Sequence, residues 1–345
     1  MGAGGSVSPR PCRPLGSSPS PDLAQAPYAC GVEVSAGTTV AYLGPPGTFT
    51  EEALLSQPDL AAARRLALGS FQEVLGFVAE GKADLGLVAI ENSIEGTVNL
   101  ALDQLVFSHD LWILRELQLE VTQCLVGLPG ARLSAVKKVI SIPVATAQCR
   151  TWLSGHLAKA EEEPAPSTAE AVRRAAEAQD PGVAAIGTKH AANLYGLAVL
   201  AEGIEDHEGN TTRFVAVGLP SWGIPAPTGH DKTSVVCFQS SDHPGSLHTI
   251  LGQFAARNLN LTKLESRPTK QALGEYCFVI DIDGHVADEV VADCLRDLHA
   301  TLPAVKFLGS YPAGGPGGER RRQEASQAWL AADQWIRKLR SHLER

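Results

Sequence analysis

The stretch SFQEVLGFVAEGKADLGLVAIENSIEGTVNLALDQLVF, residues 70–107, decides the fold class. Ser70 and Glu73 stand at the spacing of a capping box, which predicts that a helix begins there. The run DLGLVAIEN (84–92) is almost continuously apolar, as expected of a strand buried on both faces, and a helical segment follows it. Strands that alternate with helices in this way predict an α/β fold with parallel sheets whose faces are covered.

The same alternation continues on both sides of this stretch. Strands are predicted at TVAYLG (39–44), LQLEVTQCLVGL (117–128), KKVISI (137–142), VAAIG (183–187), LAVLA (197–201) and TRFVAVG (212–218). Helices are predicted at TFTEEALLSQ (48–57), AQCRTWLSGHL (147–157) and STAEAVRRAAEAQ (167–179). Long strands near 113–127 and a return near 200–218 predict two lobes, between which the chain crosses more than once. We therefore expect residues 38–219 to form one two-lobed catalytic domain.

A second domain follows a linker rich in Pro and Gly at residues 220–231. Residues 232–312 predict the order β-α-β-β-α-β, which is the α+β ferredoxin-like arrangement. Residues 313–345 predict a linker and a final helix. Four apolar residues lie near one stripe of that helix: Trp329, Ile336, Leu339 and Leu343. A chain cut after about Gly229 is expected to keep the activity of the first domain and to lose its regulation.

Composition excludes several classes of protein. The 345 residues carry a formal net charge of −9, so no basic surface indicates a nucleic-acid partner. No run of 18 apolar residues predicts a membrane span. The seven cysteines are scattered without a CxxC pair, which is typical of buried free thiols in a reducing, cytoplasmic protein. No spacing typical of metal ligands and no P-loop is present, so we expect neither a metal nor a cofactor.

The N-terminal extension, residues 1–37, is rich in Gly, Ser and Pro. This composition predicts disorder, and the segment lacks the apolar core of a secretory signal. A transit peptide or a start codon assigned too far upstream are alternatives.

Polar residues follow several of the predicted strands. Asn92 and Ser93 end a buried strand, where α/β sheets commonly display groups that contact ligands. Thr212 and Arg213 are adjacent in a strand, so their side chains point to opposite faces, one toward a ligand and the other toward a second anion or a structural carboxylate. Thr48 follows two glycines at a helix start, where backbone N–H groups suit a carboxylate.

Six segments together resemble one family, the prephenate dehydratases. The resemblance extends over about residues 39–312. The segments that carry it occur in the expected order: AYLGPPGTFTEEA (41–53), AIENSIEGTV (89–98), SIPVATAQC (141–149), STAEAV (167–172), GNTTRF (209–214) and LTKLESRP (261–268). The resemblance implies a two-lobed, periplasmic-binding-protein-like catalytic domain with its active site between the lobes. It also implies an ACT regulatory domain that binds phenylalanine, and conversion of prephenate to phenylpyruvate without a cofactor in L-phenylalanine biosynthesis.

The resemblance also implies roles for individual residues. Thr212, in the family's Thr-Arg-Phe segment, is the expected catalytic hydroxyl. The expected catalytic set comprises Thr212, Asn92, Ser141 and Gln148. The expected substrate-binding set comprises Thr48, Ser93, Ser167, Thr168 and Arg213. Many relatives have histidine after the serine at position 141, and Ile142 stands there in this chain, which excludes an imidazole at that position. Glu91 is a less favoured acid, because a carboxylate beside a dianionic substrate is unfavourable unless protonated.

The expected effector site lies in the ACT domain. It comprises Gly245, Leu247, Glu265, Ser266, Arg267 and Pro268. The family's Gly-Ala-Leu-Val segment is Gly-Ser-Leu-His here, so Ser246 and His248 leave the amino-acid preference open. Two alternatives also remain: an arogenate dehydratase, and a non-catalytic amino-acid sensor. A homodimer or homotetramer is expected, because an isolated four-stranded sheet leaves edge strands to cover.

Overall fold

The computed structural model describes residues 34–239, 243–270, 275–314 and 334–340. They form three β-sheets with helices packed against them. The first two sheets belong to two lobes, and the third belongs to the C-terminal domain. The two-lobed α/β arrangement followed by a ferredoxin-like domain is therefore confirmed.

Lobe 1 is built from two separate parts of the chain. Its strands are β1 (Thr39–Leu43), β2 (Arg64–Leu68), β3 (Leu85–Asn92), β4 (Gly96–Thr97), β5 (Trp112–Glu120) and β11 (Thr211–Gly218). Its helices are α1 (Phe49–Leu55), α2 (Pro58–Ala62), α3 (Phe71–Ala79) and α4 (Asn99–Asp103), with a π-helical turn over Gln104–Ser108. The strand order is β2-β1-β3-β11-β5, with β4 paired to β3. Strands β1, β2 and β3 are parallel, and β11 runs antiparallel between β3 and β5.

Lobe 2 is one continuous stretch inserted between β5 and β11. Its strands are β6 (Cys124–Gly127), β7 (Lys138–Ser141), β8 (Glu161–Pro164), β9 (Val183–Gly187) and β10 (Ala198–Glu202), in the order β10-β6-β9-β7-β8. Its helices are α5 (Pro143–Gln148), α6 (Arg150–His156), α7 (Thr168–Ala178) and α8 (Lys189–Leu194). The chain crosses between the lobes twice, from β5 to β6 and from β10 to β11, as the sequence predicts.

Hydroxyl side chains begin the helices that follow the strands of both lobes. Thr48, Ser70, Ser167 and Thr188 each accept a hydrogen bond from a backbone N–H in the first turn of α1, α3, α7 and α8, respectively. Such caps stabilise a helix start by about 0.5–2 kcal/mol relative to alanine. The capping boxes predicted at Ser70 and Ser167 are confirmed as helix starts.

The C-terminal domain follows the predicted element order. Its strands are β12 (Asp231–Phe238), β13 (Leu261–Pro268), β14 (Tyr276–Asp283) and β15 (Ala304–Pro312), and its helices are α9 (Ser246–Ala255) and α10 (Glu289–Thr301). The sheet has the order β13-β14-β12-β15 and is antiparallel throughout. Strand β13 is an edge strand within this sheet.

Lobe 1 and the C-terminal domain share a hydrophobic core. Val236, Val279 and Tyr311 of the C-terminal sheet belong to the same buried cluster as Val88 and Val215 of lobe 1. Removing the C-terminal domain therefore exposes apolar surface of lobe 1. The expectation that a chain cut after Gly229 stays active does not fit this packing, because hydrophobic patches of that kind promote unfolding and aggregation.

Other differences from the sequence analysis are local. The apolar stretch 117–128 is not one strand: β5 ends at Glu120, and β6 begins in the other lobe. Elements that the sequence pattern does not predict include β2, β8 and α8. Strand β8 has the unusual sequence EEEP, and an ion pair between Lys138 and Glu163 at 2.9 Å joins it to β7.

The remaining expectations concern the cysteines and the chain ends. The five cysteines within the described ranges are buried and free, as predicted, and burial raises the pKa of Cys149 to about 12. Residues 334–340 are helical and exposed, and they include Ile336 and Leu339. Trp329, Leu343 and most of the N-terminal extension lie outside the described residues. Within those ranges, no helix has the length and apolar character needed to cross a membrane.

Candidate active site

The carboxyl ends of the parallel strands in the two lobes face each other. Gln148, the last residue of α5, the helix that follows β7 in lobe 2, donates to Glu95, just after β3 in lobe 1, at 3.0 Å. Thr188, just after β9, donates to the carbonyl of Gly47, just after β1, at 3.1 Å. Ligands in α/β folds bind beyond the carboxyl ends of the strands, so these two contacts mark the interlobe cleft as the candidate site.

Thr212 lies at this edge of lobe 1, where β11 pairs with β3. Its register partner is Asn92, and the Asn92 Nδ2 atom donates to Thr212 Oγ1 at 2.9 Å. The orientation of this amide is fixed, because Asn92 Oδ1 accepts from the backbone N–H groups of Ile94 and Glu95 at 3.0 Å each. Thr212 Oγ1 therefore accepts from Asn92, and its own hydrogen has no acceptor within the described part of the chain.

Asn210 is a further member of the site that the sequence analysis did not select. Its Oδ1 atom accepts from Asn92 Nδ2 at 2.7 Å and from Ser93 Oγ at 3.4 Å. Asn210 is only 2 % exposed, and its carbonyl accepts from the N–H of Val121 at 2.7 Å. The sequence signal that could have identified Asn210 is its place in GNTTRF, two residues before Thr212. The prediction for that segment named only the hydroxyls and the arginine.

Hydrogen bonds connect the predicted catalytic residues across the cleft. Gln148 binds the Glu95 carboxylate, the Glu95 N–H binds Asn92, and the Asn92 amide binds Thr212. Gln148 and Thr212 thus belong to one network, with Glu95 as an unpredicted link. Ser141 ends β7, the strand of lobe 2 that precedes α5 and Gln148, and is 1 % exposed.

The predicted hydroxyls differ in what they can offer a ligand. Thr48 Oγ1 donates to the carbonyl of Leu43, and Ser141 Oγ donates to the carbonyl of Ile186, each at 3.1 Å. Because a carbonyl only accepts, these two hydroxyls have no hydrogen left for a carboxylate. Ser167 accepts from the Glu170 N–H at 3.1 Å and, over the ranges described, its hydrogen has no acceptor. Ser167 can therefore donate to an anion.

Glu51 forms a buried cluster beside the loop after β1. Its carboxylate accepts from the Gly47 N–H at 2.7 Å and from the Tyr42 hydroxyl at 3.0 Å, and it lies 3.1 Å from His190 Nε2 of lobe 2. Burial acts to raise its pKa, but the hydrogen bonds from Gly47, His190 and Tyr42 outweigh burial, and the pKa lies below its ordinary value. The next residue, Glu52, has a raised pKa because burial disfavours its charged form.

Arg213 does not lie in the cleft. Its guanidinium donates to Glu116 at 2.7 Å, to Asp281 at 2.6 Å and to the Tyr311 hydroxyl at 2.9 Å, on the face of β11 opposite Thr212. The side chain is 9 % exposed, and the surrounding negative groups outweigh burial and raise its pKa. The substrate-binding role predicted for Arg213 is therefore replaced by a contact between lobe 1 and the C-terminal domain. Glu91 lies in the same cluster, 3.3 Å from Arg213.

The predicted effector residues lie in two places. Gly245 caps α9 with φ +90°, and Leu247 in the first turn packs against the core of the C-terminal domain. Glu265 and Arg267 instead contact lobe 1, where Thr97 donates to Glu265 and Asp103 accepts from Arg267 Nε at 3.0 Å. Strand β13 thus joins the C-terminal domain to the segment that follows the cleft residues 92–95. Ser266 and Pro268 alternate along this strand with Glu265 and Arg267, so their side chains point to its other face.

Comparisons with known proteins agree with this organisation. A family model described as prephenate dehydratase matches residues 40–221, and an ACT domain model matches residues 233–300. A curated prephenate dehydratase of Mycobacterium tuberculosis is 41 % identical over 304 residues, which cover 85 % of this chain and 92 % of that protein. A curated prephenate dehydratase of Mycobacterium leprae is 42 % identical over 303 residues, covering 85 % and 93 %. The crystal structure of a prephenate dehydratase from Arthrobacter aurescens in complex with L-Phe has a TM-score of 0.79 and 42 % identity, covering 88 % of this chain and 100 % of that one.

Proposed function

The chain belongs to the prephenate dehydratase family, and we propose that the network around Thr212 is the catalytic centre of this lyase. The substrate, prephenate, is a dianion that carries a hydroxyl group on its ring. Breaking the bond to the ring carboxylate releases carbon dioxide and leaves its electron pair in the ring. The ring C–O bond then breaks, and the departing hydroxide takes a proton to become water.

This chemistry requires orientation and one proton rather than a strong nucleophile. Formation of the aromatic ring supplies the driving force, so the barrier is lowered chiefly by holding the substrate and stabilising the departing oxygen. A threonine hydroxyl is a weak acid, and we assign it the role of hydrogen-bond donor or proton relay to that oxygen.

The observation that carries the proposal is the hydrogen bond from Asn92 to Thr212 Oγ1. A hydroxyl that accepts a hydrogen bond becomes a stronger donor through its own O–H, because hydrogen bonds in a chain polarise one another. Asn92 also restricts the direction in which the Thr212 hydrogen points. The Asn92–Thr212 pair therefore supports a hydroxyl donor that is fixed at the start of β11 and points away from the Asn92 amide.

Groups on both lobes are assigned to the substrate carboxylates. Ser167 and Thr168 begin α7, an eleven-residue helix, and the Ser167 hydroxyl retains its hydrogen. Gln148 donates one of its two amide hydrogens to Glu95 and retains the other. From lobe 1 we assign the backbone of the loop that contains Thr48 to the same role. Ser93, whose hydroxyl donates to Asn210, is assigned to holding that side chain. Ser141 is assigned a supporting role, because its hydroxyl donates to the Ile186 carbonyl of β9 and has no hydrogen left for a carboxylate.

The test separates the possible substrates. Purified protein is given prephenate or arogenate, and phenylpyruvate and phenylalanine are measured separately by chromatography. Rapid formation of phenylpyruvate from prephenate supports the proposal, and formation of phenylalanine from arogenate alone assigns the chain to arogenate. Binding of either compound without turnover would contradict catalysis and support a sensor.

We also propose that phenylalanine binds at the start of α9 and inhibits the enzyme. The relative from Arthrobacter aurescens is a complex with L-Phe, and Gly245 and Leu247 here provide an open backbone turn and an apolar side chain. Residues 265–268 lie elsewhere in the same domain and contact lobe 1 through Glu265 and Arg267. A typical coupling of about 1–3 kcal/mol changes substrate affinity about 5- to 150-fold.

Two glycines with similar backbone angles offer a matched test of this regulation. Gly245 has φ +90° and Gly229 has φ +85°, and a Cβ atom at either meets open space. Gly245→Ala is expected to weaken the inhibition by phenylalanine without changing the uninhibited rate. Gly229→Ala introduces the same backbone strain in the linker and should leave the inhibition unchanged. An unchanged phenylalanine response in Gly245→Ala would place the effector elsewhere.

The remaining assignments concern organisation in the cell. We propose a homodimer or homotetramer, since the edge strand β13 and the exposed side chain of Leu264 on it suit a second copy. We propose residues 38–219 and 232–312 as the catalytic and regulatory regions and the cytoplasm as the location. Light scattering at micromolar concentration tests the assembly, where a monomer would contradict it.

A further inference from the structure

Helix α8 of lobe 2 and the two residues that flank it contact the loop after β1 and the start of α1 in lobe 1 at three points, which we call the α8 clasp. Thr188 Oγ1 donates to the Gly47 carbonyl at 3.1 Å, and the Tyr195 hydroxyl donates to the Pro46 carbonyl at 3.1 Å. His190 Nε2 lies 3.1 Å from the Glu51 carboxylate. These contacts join lobes whose only covalent connections are the two crossing segments.

The hydroxyl of Thr188 is held in one orientation. It accepts from the Ala191 N–H at 2.8 Å as the cap of α8, so its hydrogen points to the Gly47 carbonyl. Thr188 is 1 % exposed, so this bond is buried from bulk solvent. This contact therefore restricts the relative position of the two lobes. Neither Thr188 nor the Gly47 backbone can rotate away without also losing its second hydrogen bond, to the Ala191 N–H or to Glu51.

The loop itself fits closely against α8. Gly47 has φ +95°, and a Cβ atom there would come within 3.0 Å of the Ala191 Cβ atom and 3.3 Å of its Cα atom. The Gly47 N–H is held from lobe 1 by Glu51 at 2.7 Å, and its carbonyl is held from lobe 2. A glycine permits both the backbone conformation and the approach of the two lobes.

We propose that Thr188 and Tyr195 are positioning residues that set the angle between the lobes for the dehydratase reaction. This inference rests on the proposed function, since it assumes that the substrate binds between Thr212 of lobe 1 and Gln148 of lobe 2. Two crossing segments leave one hinge rotation free, and the clasp restricts that rotation. Without the clasp, fewer free molecules have the lobes at the angle that binds substrate. The apparent Kd for the substrate then equals the intrinsic Kd divided by the fraction of molecules in that state.

The decisive variant is Tyr195→Phe, which removes one interlobe hydrogen bond and no helix cap. We expect KM to rise about 2- to 10-fold, the range for the net effect of one hydrogen bond, with kcat within about twofold of the original. Thr188→Val should raise KM by a similar or larger factor. Thr188→Ser keeps the hydroxyl and should leave KM near the value of the unaltered protein. Ser70→Ala is the control, because it removes a helix cap of the same kind on α3 without any interlobe contact.

A second measurement does not depend on activity. Spin labels at Lys82→Cys in lobe 1 and Lys159→Cys in lobe 2, with Cys12 and Cys30 replaced by serine, report the distance between the lobes. Tyr195→Phe is expected to broaden this distance distribution, and Ser70→Ala is not. The clasp proposal is overturned if Tyr195→Phe and Thr188→Val change neither the interlobe distance distribution nor KM, whatever the Thr212 variants show. Conversely, a broadened distribution in a protein inactive toward prephenate would keep the clasp and reject the substrate assignment.

Discussion

Replacing Thr212 with valine separates the catalytic role of the hydroxyl from its structural role. Valine keeps the branched shape, so the packing of β11 against β3 and β5 is preserved. The structural loss is the hydrogen bond from Asn92 at 2.9 Å, while the same amide keeps its bond to Asn210 at 2.7 Å. Loss of one such bond lowers the free energy of unfolding by about 0.5–1.5 kcal/mol.

The expected loss of activity is much larger. A positioned proton donor typically contributes about 10²- to 10⁴-fold to the rate. At about 1.36 kcal/mol per factor of ten, this is about 2.7–5.4 kcal/mol in the activation free energy. The effect on kcat should therefore clearly exceed the effect on stability, which a purely structural role does not predict.

The assay measures phenylpyruvate formation at saturating prephenate together with thermal unfolding of each variant. Thr211→Val is the matched control, since the neighbouring hydroxyl lies on the other face of the strand, where its hydrogen bond to the Gly209 carbonyl is exposed to solvent. Thr212→Ser should recover much of the rate because it restores the donor. A folded Thr212→Val protein with nearly normal kcat would refute the reasoning.

Four further predictions concern other buried polar and charged side chains. Asn210→Leu should lower kcat at least about tenfold, since the amide that contacts the catalytic hydroxyl loses a buried partner, and Asn210→Asp should retain more activity in the same assay. Asp281→Asn should lower the free energy of unfolding by about 3–5 kcal/mol in urea, because it removes a partner of a buried arginine, while Asp283→Asn at an exposed position should stay within about 0.5 kcal/mol. Glu52→Gln should raise the melting temperature at pH 7, since a carboxyl whose pKa is raised by burial loses stability as pH rises above its usual value of 4.5. Glu51→Gln should lower it at pH 7, since a carboxyl with a lowered pKa stabilises the fold above 4.5, and both differences should shrink in melting curves recorded at pH 4.

The sequence predicts the parts of the fold that depend on local pattern. Capping residues such as Ser70 and Ser167 and apolar runs such as residues 84–92 identify helices and strands from neighbours in sequence. The failures occur where distant contacts decide. The EEEP segment has weak strand propensity and becomes β8 by pairing in parallel with β7, and the run 117–128 is divided because its halves pair in different sheets.

The same distinction holds for the candidate site. Strand alternation correctly separates the sides of Thr212 and Arg213, but only the tertiary structure shows that the carboxylates around Arg213 come from β5 and β14. Asn210 and Thr188 resemble ordinary turn and cap residues in sequence. Their roles arise from partners 118 and 141 residues away, and such pairs leave no local signal in a single chain.

The position of β11 has a consequence for the order in which the protein is made. This strand lies between β3 and β5 in the first sheet, yet it is synthesised after the whole of lobe 2. Until residue 218 has left the ribosome, β5 lacks the neighbour that joins it to the sheet, whereas lobe 2 is complete once β10 has emerged. Because domains tend to fold as units during synthesis, we expect the inserted lobe to become protease-resistant on the ribosome before the lobe that precedes it.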